Sequence, residues 1–231
     1  MNEVLRQEKK FLISIAKYYE LSHLLSNVLP RDKHSQGDGY AIRSLYFDTL
    51  EDTDFWEKED GTDPRRKIRL RNYGHNTPFA MLEMKQKQGV YQKKRSLRVS
   101  SDHGAALCQG QYEVLLQYSD PFAAECYALM RTQVYVPKTV VEYRRKAFAA
   151  KENQIRITFD HHIIGTEANF NIFSPKLLQY PVLDPYLVVL EVKYNSFLLS
   201  YIKDLLKAVQ LSELSVSKYC LSRTISTHYQ F

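Results

Sequence analysis

Residues 66–98 read RKIRLRNYGHNTPFAMLEMKQKQGVYQKKRSLR and predict three β-strands, at 66–72, 79–87 and 91–99. Charged residues recur at every second position of each strand. Side chains alternate between the two faces of a strand, so each charged set shares one face. The alternating charged residues are Lys67, Arg69, Arg71, Glu83, Lys85, Lys87, Lys93 and Arg95. The intervening positions of the first two strands are mostly apolar, and that face must pack against a core.

A charged strand face is usually a solvated surface, and for any single strand that is the simplest interpretation. Here the alternation returns elsewhere in the chain, in Glu8 and Lys10, Tyr143 and Arg145, Arg156 and Thr158, and Glu191 and Lys193. Solvated faces usually mix charge signs and carry Ser, Thr and Gln, whereas these strands favour Arg and Lys. The repetition therefore indicates a surface that binds a polyanion.

The chain has 231 residues and a formal net charge of +6. That length can bury a sizeable core, and no linker or internal repeat divides it, so we expect a single domain over 1–231. The positive balance favours an acidic partner, and it is spread through the predicted strands rather than gathered in a tail. Composition alone leaves nucleic acid open, since the many aromatic residues could stack bases.

The three cysteines, Cys108, Cys126 and Cys220, are widely separated and form no CxxC spacing. This spacing argues against a zinc site and favours buried, reduced thiols in a cytoplasmic protein. The first residues lack the apolar core of a signal peptide. The longest apolar runs are far too short to span a bilayer, so no membrane segment is expected.

The spacing of apolar residues and the positions of turn residues predict the other strands and helices. Strands are expected at 4–13, 41–49, 139–148, 154–160 and 185–194. Helices are expected at 15–29, 103–117, 121–131, 197–209 and 213–226. Ser14 and Asp120 are expected to cap two of the helices. The acidic segment 50–64 is predicted to be a loop with a short strand around Phe55 and Trp56.

These elements predict the α+β class, with an antiparallel β-barrel and flanking and inserted helices. If its charged face is the inside, such a barrel encloses a basic tunnel. An empty basic tunnel is unfavourable unless water or an anion satisfies its charges, so ligand binding should stabilise the fold.

Nine short motifs, none specific alone, occur in a characteristic order: RQEKKF, SLYFDT, KIRLR, LEMKQK, QKKRSL, VEYRR, IRITFD, VLEVKY and SKY. In order and spacing the chain resembles the VTC domain, from about Leu5 to Thr224. This is the polyphosphate polymerase branch of the triphosphate tunnel metalloenzyme (CYTH-like) superfamily. The resemblance implies an antiparallel barrel whose basic lumen, the triphosphate tunnel, holds a triphosphate or a growing polyphosphate chain.

The resemblance also implies a reaction, the transfer of the γ-phosphate of ATP to inorganic polyphosphate with release of ADP. The implied cofactor is a divalent cation, Mn²⁺ or Mg²⁺. The expected partners are ATP and polyphosphate, and nucleic acid is not expected because a closed tunnel would not admit a duplex. A membrane partner protein and the oligomeric state are left open.

The resemblance implies a set of phosphate ligands, namely Lys10, Arg69, Arg71, Lys85, Lys93, Arg95, Arg145 and Lys218, with Tyr143 and Ser217 as hydrogen-bond donors. Alternation along the strands adds Lys87 and Arg156. The residues expected to act on the transferring phosphate are Arg69, Arg71, Lys85 and Lys218. Strand parity assigns a second set to the opposite, solvated face: Lys9, Lys94, Arg98 and Arg144.

The resemblance implies that Glu191 holds the metal ion, and Glu8 is a second candidate ligand. Glu8 could instead pair with a neighbouring base, and pairing is the expectation for Glu83. The hydrolases of the superfamily open with an ExExK signature, whereas this chain has Arg6-Gln7-Glu8-Lys9-Lys10. Loss of one carboxylate weakens a site that needs several oxygens for its cation, which favours the polymerase branch.

Other functions remain open from the sequence. A triphosphate or polyphosphate hydrolase would release free phosphate instead of polymer. A non-catalytic module that binds polyphosphate or inositol pyrophosphate would make neither product, although a lumen carboxylate such as Glu191 argues against it. Two residues also have a structural alternative, since Asp48 could be a turn or cap residue and Tyr143 a core aromatic.

Overall fold

The computed structural model describes residues 6–32, 35, 37–74, 76–89, 91–207 and 216–228, with the backbone alone for Arg6 and 225–228. The chain forms two compact units. Unit 1 comprises residues 1–41, 143–163 and 183–217, and unit 2 comprises residues 42–142, 164–182 and 218–231. The prediction of a single domain over 1–231 stays a prediction.

The secondary structure is mixed, with strands in the majority. The strands are β1 (Arg6–Ser14), β2 (Tyr40–Thr49), β3 (Arg65–Asn72), β4 (Phe79–Gln88), β5 (Tyr91–Ser100), β6 (Tyr135–Ala149), β7 (Arg156–Thr166), β8 (Tyr180–Pro181) and β9 (Leu187–Asn195). The α-helices are α1 (Ile15–Val28), α2 (Thr53–Glu59), α3 (Ser101–Cys108), α4 (Pro121–Thr132), α5 (Ser200–Leu206) and α6 (Lys218–His228). Short 3-10 helices cover Tyr112–Gln117 and Glu152–Gln154.

In unit 1 the strands lie in the order β1-β9-β7-β6, and β9 pairs antiparallel with both β1 and β7. One sheet face is apolar and packs against α1 and α5 in a core that includes Phe11, Leu21, Phe159, Leu190 and Ile202. The start of α1 follows the expectation from sequence, because Ser14 Oγ accepts the Lys17 N–H at 3.2 Å.

In unit 2 the order is β6-β2-β3-β4-β5, with β8 paired to the end of β7. The apolar face packs against α3 and α4 in a second core, which includes Leu45, Ile68, Leu82, Leu107 and Cys126. The predicted cap of α4 is confirmed, since the Asp120 carboxylate accepts the Phe122 N–H at 2.9 Å. The burial of all three cysteine side chains is also confirmed.

The α+β class with an antiparallel sheet is confirmed, and the three basic strands lie within two residues of their predicted bounds. Two local predictions are wrong. The acidic segment forms α2 rather than a loop and strand, because the Asp48 carboxylate accepts the N–H groups of Asp54 and Phe55, each at 2.9 Å. The helix expected at 103–117 is broken after α3, where Gly110 adopts a φ of +78°.

Some predicted positions lie outside the described residues. These are the start of the first strand at 4–5, the end of the helix at 208–209 and the start of the last helix at 213–215. Among the described helices none is long and apolar enough to cross a membrane.

Candidate functional site

The polar face of unit 2 collects the basic residues of three neighbouring strands. The β3–β4 register places Arg69 opposite Glu83 and Lys67 opposite Lys85. The one residue between these pairs on each strand, Ile68 on β3 and Met84 on β4, faces the core. We name this group the unit 2 cluster, and it consists of Lys67, Arg69, Arg71, Glu83, Lys85 and Lys94.

Glu83 organises the unit 2 cluster. Its side chain is buried, and its carboxylate lies 2.6 Å from Arg69 Nη2 and 3.9 Å from Arg71 Nη1, and it pairs with Lys94. Burial alone would raise the pKa of Glu83, but the charges of these cations outweigh it and lower the pKa to about 2. Glu83 therefore stays ionised and fixes three cations, which confirms the expectation that it pairs with neighbouring bases.

Tyr46 belongs to the same face, because the β2–β3 register places it opposite Arg69. Its buried ring stacks on Tyr219 with 5.2 Å between ring centroids. Burial would raise the pKa of Tyr46, but the charges of Arg69, Arg71 and Lys67 lower it. The Tyr46 hydroxyl thus lies in a strongly positive field.

Asp48 anchors the start of α6. The Tyr219 hydroxyl donates a hydrogen bond to the fully buried Asp48 carboxylate, which also caps α2. Burial, together with the negative charge of Asp48, raises the pKa of Tyr219, so this hydroxyl remains a donor. Lys218 is the first residue of α6 and directly precedes Tyr219, so the bond between Tyr219 and Asp48 also holds Lys218 in place. Asp48 is thus a cap that also positions a predicted phosphate ligand.

The predicted face of Lys93 and Arg95 is wrong. The β4–β5 register places Lys94 opposite Lys85, whereas Lys93 lies opposite Gln86 and Arg95 opposite Met84. Lys94 therefore shares the face of the unit 2 cluster, and Lys93 and Arg95 lie on the other face. Strand parity has a period of two, so a one-residue error across the β4–β5 turn moves every side chain to the opposite face.

The contacts of Arg95 agree with this register. Its guanidinium pairs with Glu125 of α4, lies 4.9 Å from the centroid of the Phe122 ring and donates to Gln86 at 2.9 Å. Arg98 was predicted on the opposite face with Lys94, and it likewise shares the face of the cluster. Its guanidinium carbon lies 3.9 Å from the centroid of the Phe79 ring. Arg95 therefore connects β5 to α4 and lies outside the unit 2 cluster.

The polar face of unit 1 carries a second charged group. The β1–β9 register places Glu8 opposite Lys193 and Lys10 opposite Glu191. Each carboxylate thus has an ammonium group directly across the strand pair. We name this group the unit 1 ladder, and it consists of Glu8, Lys10, Arg145, Asp160, Glu191 and Lys193.

Short ion pairs connect the members of the unit 1 ladder. Lys10 Nζ lies 3.0 Å from Glu8 Oε1, and Lys193 pairs with Glu191 and lies 3.8 Å from Glu8 Oε2. The predicted ligands Glu8, Lys10 and Glu191 are therefore together in unit 1, where Lys10 pairs with Glu8 and Glu191 pairs with Lys193.

Arg145 closes the ladder on β6. Its Nε and Nη2 donate to the two carboxylate oxygens of Asp160 at 2.6 and 2.7 Å, and Nη2 lies 3.8 Å from Glu191. Burial opposes the charged form of Arg145, but the charge of the fully buried Asp160 outweighs it and raises the pKa. Gly39 packs on this strand so closely that a Cβ there would lie 2.2 Å from the Arg145 carbonyl oxygen.

The other predicted ligands have varied surroundings. Arg156 pairs with Asp32 at 2.7 Å and donates to the Tyr40 hydroxyl at 3.2 Å. Tyr143 is buried, with the Arg145 guanidinium 5.4 Å from its ring centroid. Lys87 is on the strand face of the unit 2 cluster, opposite Arg65, and Ser217 directly precedes α6.

Sequence reasoning noted Lys193 in the alternation with Glu191 but gave it no role in the site, and it missed Asp160 and Lys94. Asp160 ends the motif IRITFD at even spacing from Arg156, so alternation could have identified it. Lys94 was missed through the parity error. The position of the Tyr46 hydroxyl among these cations could not be predicted from the sequence, because a tyrosine in a strand usually packs in a core.

The carboxylates Glu8 and Glu191 do not fit a bound metal ion in this arrangement. The Lys193 ammonium contacts both, and so takes the position that a shared cation would need. In the part of the chain that the structure describes, no group of three or more His, Cys, Asp or Glu residues is arranged to hold a metal.

The fold is an antiparallel sheet with helices on its apolar face and with arginines and lysines on its polar face. The chain belongs to the VTC domain family, which matches residues 5–226. The resemblance seen in the sequence is thereby confirmed. No curated protein sequence matches the chain.

Solved structures with the same fold are distant in sequence. One is a candidate adenylate cyclase from Bacillus halodurans, with 12% identity, 92% of this chain and 95% of that chain covered, and a TM-score of 0.51. Another is a candidate adenylyl cyclase from Hippeastrum with a dominant triphosphatase activity, with 12% identity, 96% of both chains covered and a TM-score of 0.57. At this identity the similarity extends to the fold alone.

Proposed function

We propose that this protein is a polyphosphate polymerase that transfers the γ-phosphate of ATP to inorganic polyphosphate. Membership of the VTC domain family supports a function on polyphosphate or triphosphate. The observation that carries the proposal is the unit 2 cluster, in which Arg69, Arg71 and Lys94 converge on the buried Glu83 carboxylate and Lys67 and Lys85 share the same strand face. Such a surface favours a ligand with several negative charges in a row.

The side chains of this face suit phosphoryl transfer. Arg69 and Arg71 carry planar guanidinium groups that match pairs of phosphate oxygens, while Lys85 and Lys94 act as point charges. In the reaction, an oxygen of the terminal phosphate of the chain attacks the γ-phosphorus of ATP. The bond between that phosphorus and the β–γ bridging oxygen breaks, and ADP leaves with the bridging oxygen.

This reaction asks the protein for placement and charge neutralisation and needs no covalent intermediate. Lys218 is proposed to contact the transferring phosphate together with Arg69, Arg71 and Lys85. Lys10, Arg145, Tyr143, Arg156, Ser217 and Lys87 are proposed as further phosphate ligands. A divalent cation, Mn²⁺ or Mg²⁺, is proposed to enter with ATP and to offset charge on its phosphates. We propose a cytoplasmic location, which suits the three buried thiols.

The test is product analysis with the purified full chain. We expect ATP and Mn²⁺ to give a polyphosphate ladder that lengthens with time on a denaturing gel, together with stoichiometric ADP. Arg71→Gln should reduce the initial rate by about 100-fold, the scale for loss of a preorganised charge at a transferring group. Arg131→Gln is the matched control, because Arg131 is exposed on α4 and pairs loosely with Glu113 at 3.7 Å.

Other products would replace the proposal. Free phosphate without a ladder would assign a hydrolase, an activity described for the Hippeastrum protein of the same fold. Tight tripolyphosphate binding with neither product would assign a binding module. Equal rates for Arg71→Gln and Arg131→Gln would exclude the unit 2 cluster as the site of transfer.

A further inference from the structure

Lys193 bridges two carboxylates, Glu8 and Glu191, that lie diagonally to each other across β1 and β9. Its ammonium pairs with Glu191 Oε1 and lies 3.8 Å from Glu8 Oε2. The register explains this position, since Lys193 is directly opposite Glu8 and two residues from Glu191 on the same strand face. The ammonium thus sits where a cation shared by both carboxylates would bind.

The other two cations of the unit 1 ladder are placed differently. Lys10 contacts Glu8 at 3.0 Å and also reaches the Val216 carbonyl oxygen at 3.5 Å. Arg145 is 3.8 Å from Glu191, but its two short bonds to Asp160 hold it in place. Lys193 is therefore the ladder cation that contacts both Glu8 and Glu191.

We propose that Lys193 is the resident cation of the Glu8–Glu191 pair, that it excludes a divalent cation from this pair, and that phosphate oxygens draw its ammonium away. The proposal rests on the proposed function, because it takes phosphate as the anion.

Electrostatics supports this exclusion. The Glu8 and Glu191 side chains are 19% and 8% exposed, so water screens them little. An ammonium and a divalent ion within about 4 Å of each other repel strongly at the effective dielectric of such a site. The two cations cannot share the pair, and one must leave. The flexible four-carbon stem of lysine allows its ammonium to move, whereas a bidentate arginine would be held.

The test measures Mn²⁺ binding to the full chain in phosphate-free buffer, from the loss of the free-ion signal in electron paramagnetic resonance. Lys193→Gln should bind Mn²⁺ roughly tenfold or more tightly than the wild type, since one competing charge is removed. The double variant Lys193→Gln/Glu191→Gln should lose this gain. The matched control is Lys207→Gln, an exposed lysine paired with Asp204, which should behave as the wild type.

The proposal is overturned if Lys193→Gln gains no affinity for Mn²⁺. The Mn²⁺ affinities of the wild type and of Glu191→Gln give a second test of the proposal. This test does not require Lys193→Gln to fold. We expect the wild type and Glu191→Gln to bind Mn²⁺ equally weakly without phosphate. Tight wild-type binding that Glu191→Gln abolishes would show that Lys193 does not exclude the ion.

A second arm tests the role of phosphate. Tripolyphosphate affinity is measured by calorimetry in metal-free buffer, and Lys193→Gln should bind roughly fivefold more weakly than the wild type, because one ammonium contact is lost. Equal affinities would overturn the claim that phosphate draws Lys193 away. If the wild type binds no tripolyphosphate while Lys193→Gln gains Mn²⁺ affinity, the proposed function fails and exclusion by Lys193 stands.

Discussion

The unit 1 ladder and the unit 2 cluster both lie on polar strand faces backed by apolar cores, yet they hold their cations differently. In the ladder each cation has a carboxylate partner, and Asp160 and Glu191 are almost completely buried. In the cluster several cations converge on Glu83. The ladder gives each of its cations a carboxylate partner, whereas in the cluster Arg69, Arg71 and Lys94 share the Glu83 carboxylate.

This difference assigns different work to the two faces. Cations that are already neutralised exchange partners only if a ligand displaces a carboxylate, so ligand binding to the ladder should be conditional. Cations that share one carboxylate are already oriented and can accept an anion directly, at little cost in reorganisation. Four substitutions can break or sharpen this contrast.

The largest effect is expected from Asp160→Asn in the ladder. This change leaves the Arg145 guanidinium buried without its bidentate partner, and breaking a buried pair costs about 3–5 kcal/mol. The free energy of unfolding, measured in urea at pH 7, should fall by that amount. Asp204→Asn is the control, because the exposed Asp204–Lys207 pair should contribute less than about 0.5 kcal/mol. A similar small change for both variants would mean that the ladder does not stabilise unit 1.

The next effect is expected from Glu83→Gln in the cluster. The pKa of Glu83 is lowered to about 2 from 4.5, which corresponds to roughly 3 kcal/mol of stability at neutral pH. Because the folded-state pKa is the lower one, this stability is present above about pH 4.5 and is lost as the pH falls through about 2. The stability difference between wild type and variant should therefore be constant from pH 7 to 5 and shrink below it.

Ligand binding separates Glu83→Gln from Asp160→Asn. Without its shared carboxylate, the cluster should gain more stability from tripolyphosphate than the wild type does, because the anion replaces the lost charge. Asp160→Asn leaves the cluster unchanged, so tripolyphosphate should raise its melting temperature by the same amount as in the wild type. If tripolyphosphate instead stabilised Asp160→Asn more than it stabilises Glu83→Gln, the residues that bind the anion directly would be those of unit 1.

A smaller effect is expected from Tyr219→Phe. The hydroxyl donates to the buried Asp48 carboxylate, and a hydrogen bond to a charged group contributes about 1.5–3 kcal/mol. Since Asp48 keeps its bonds from the backbone N–H groups of α2, we expect the lower part of that range. Urea unfolding gives the loss, and polymer synthesis should also fall because Lys218 is less well positioned. Full activity with lowered stability would limit Asp48 to a structural role.

The contrast between the two faces could be read only in part from the sequence. Alternation placed Arg69, Arg71 and Lys85 on one face because a two-residue period is visible in any strand. The helix α2 was missed because its start is capped by Asp48 from the preceding strand. Ion-pair partners such as Asp160 and Lys193 depend on which strands are neighbours, and β9 lies between β1 and β7 although the chain reaches it last.

The smallest effect gives the sharpest test, because it compares adjacent lysines on β5. The β4–β5 register places Lys94 on the face of the cluster, opposite Lys85, and Lys93 on the other face, opposite Gln86. Lys94→Gln removes one point charge beside the bound anion and should weaken tripolyphosphate about five- to tenfold, roughly 1 kcal/mol. Lys93→Gln makes the same change in net charge, so its effect should stay within about twofold, as for a screened surface charge. Calorimetric titrations at two salt concentrations separate a direct contact from a long-range effect. A larger loss of tripolyphosphate affinity for Lys93→Gln than for Lys94→Gln would contradict the register of β5. It would place Lys93 and Arg95 on the face of the unit 2 cluster.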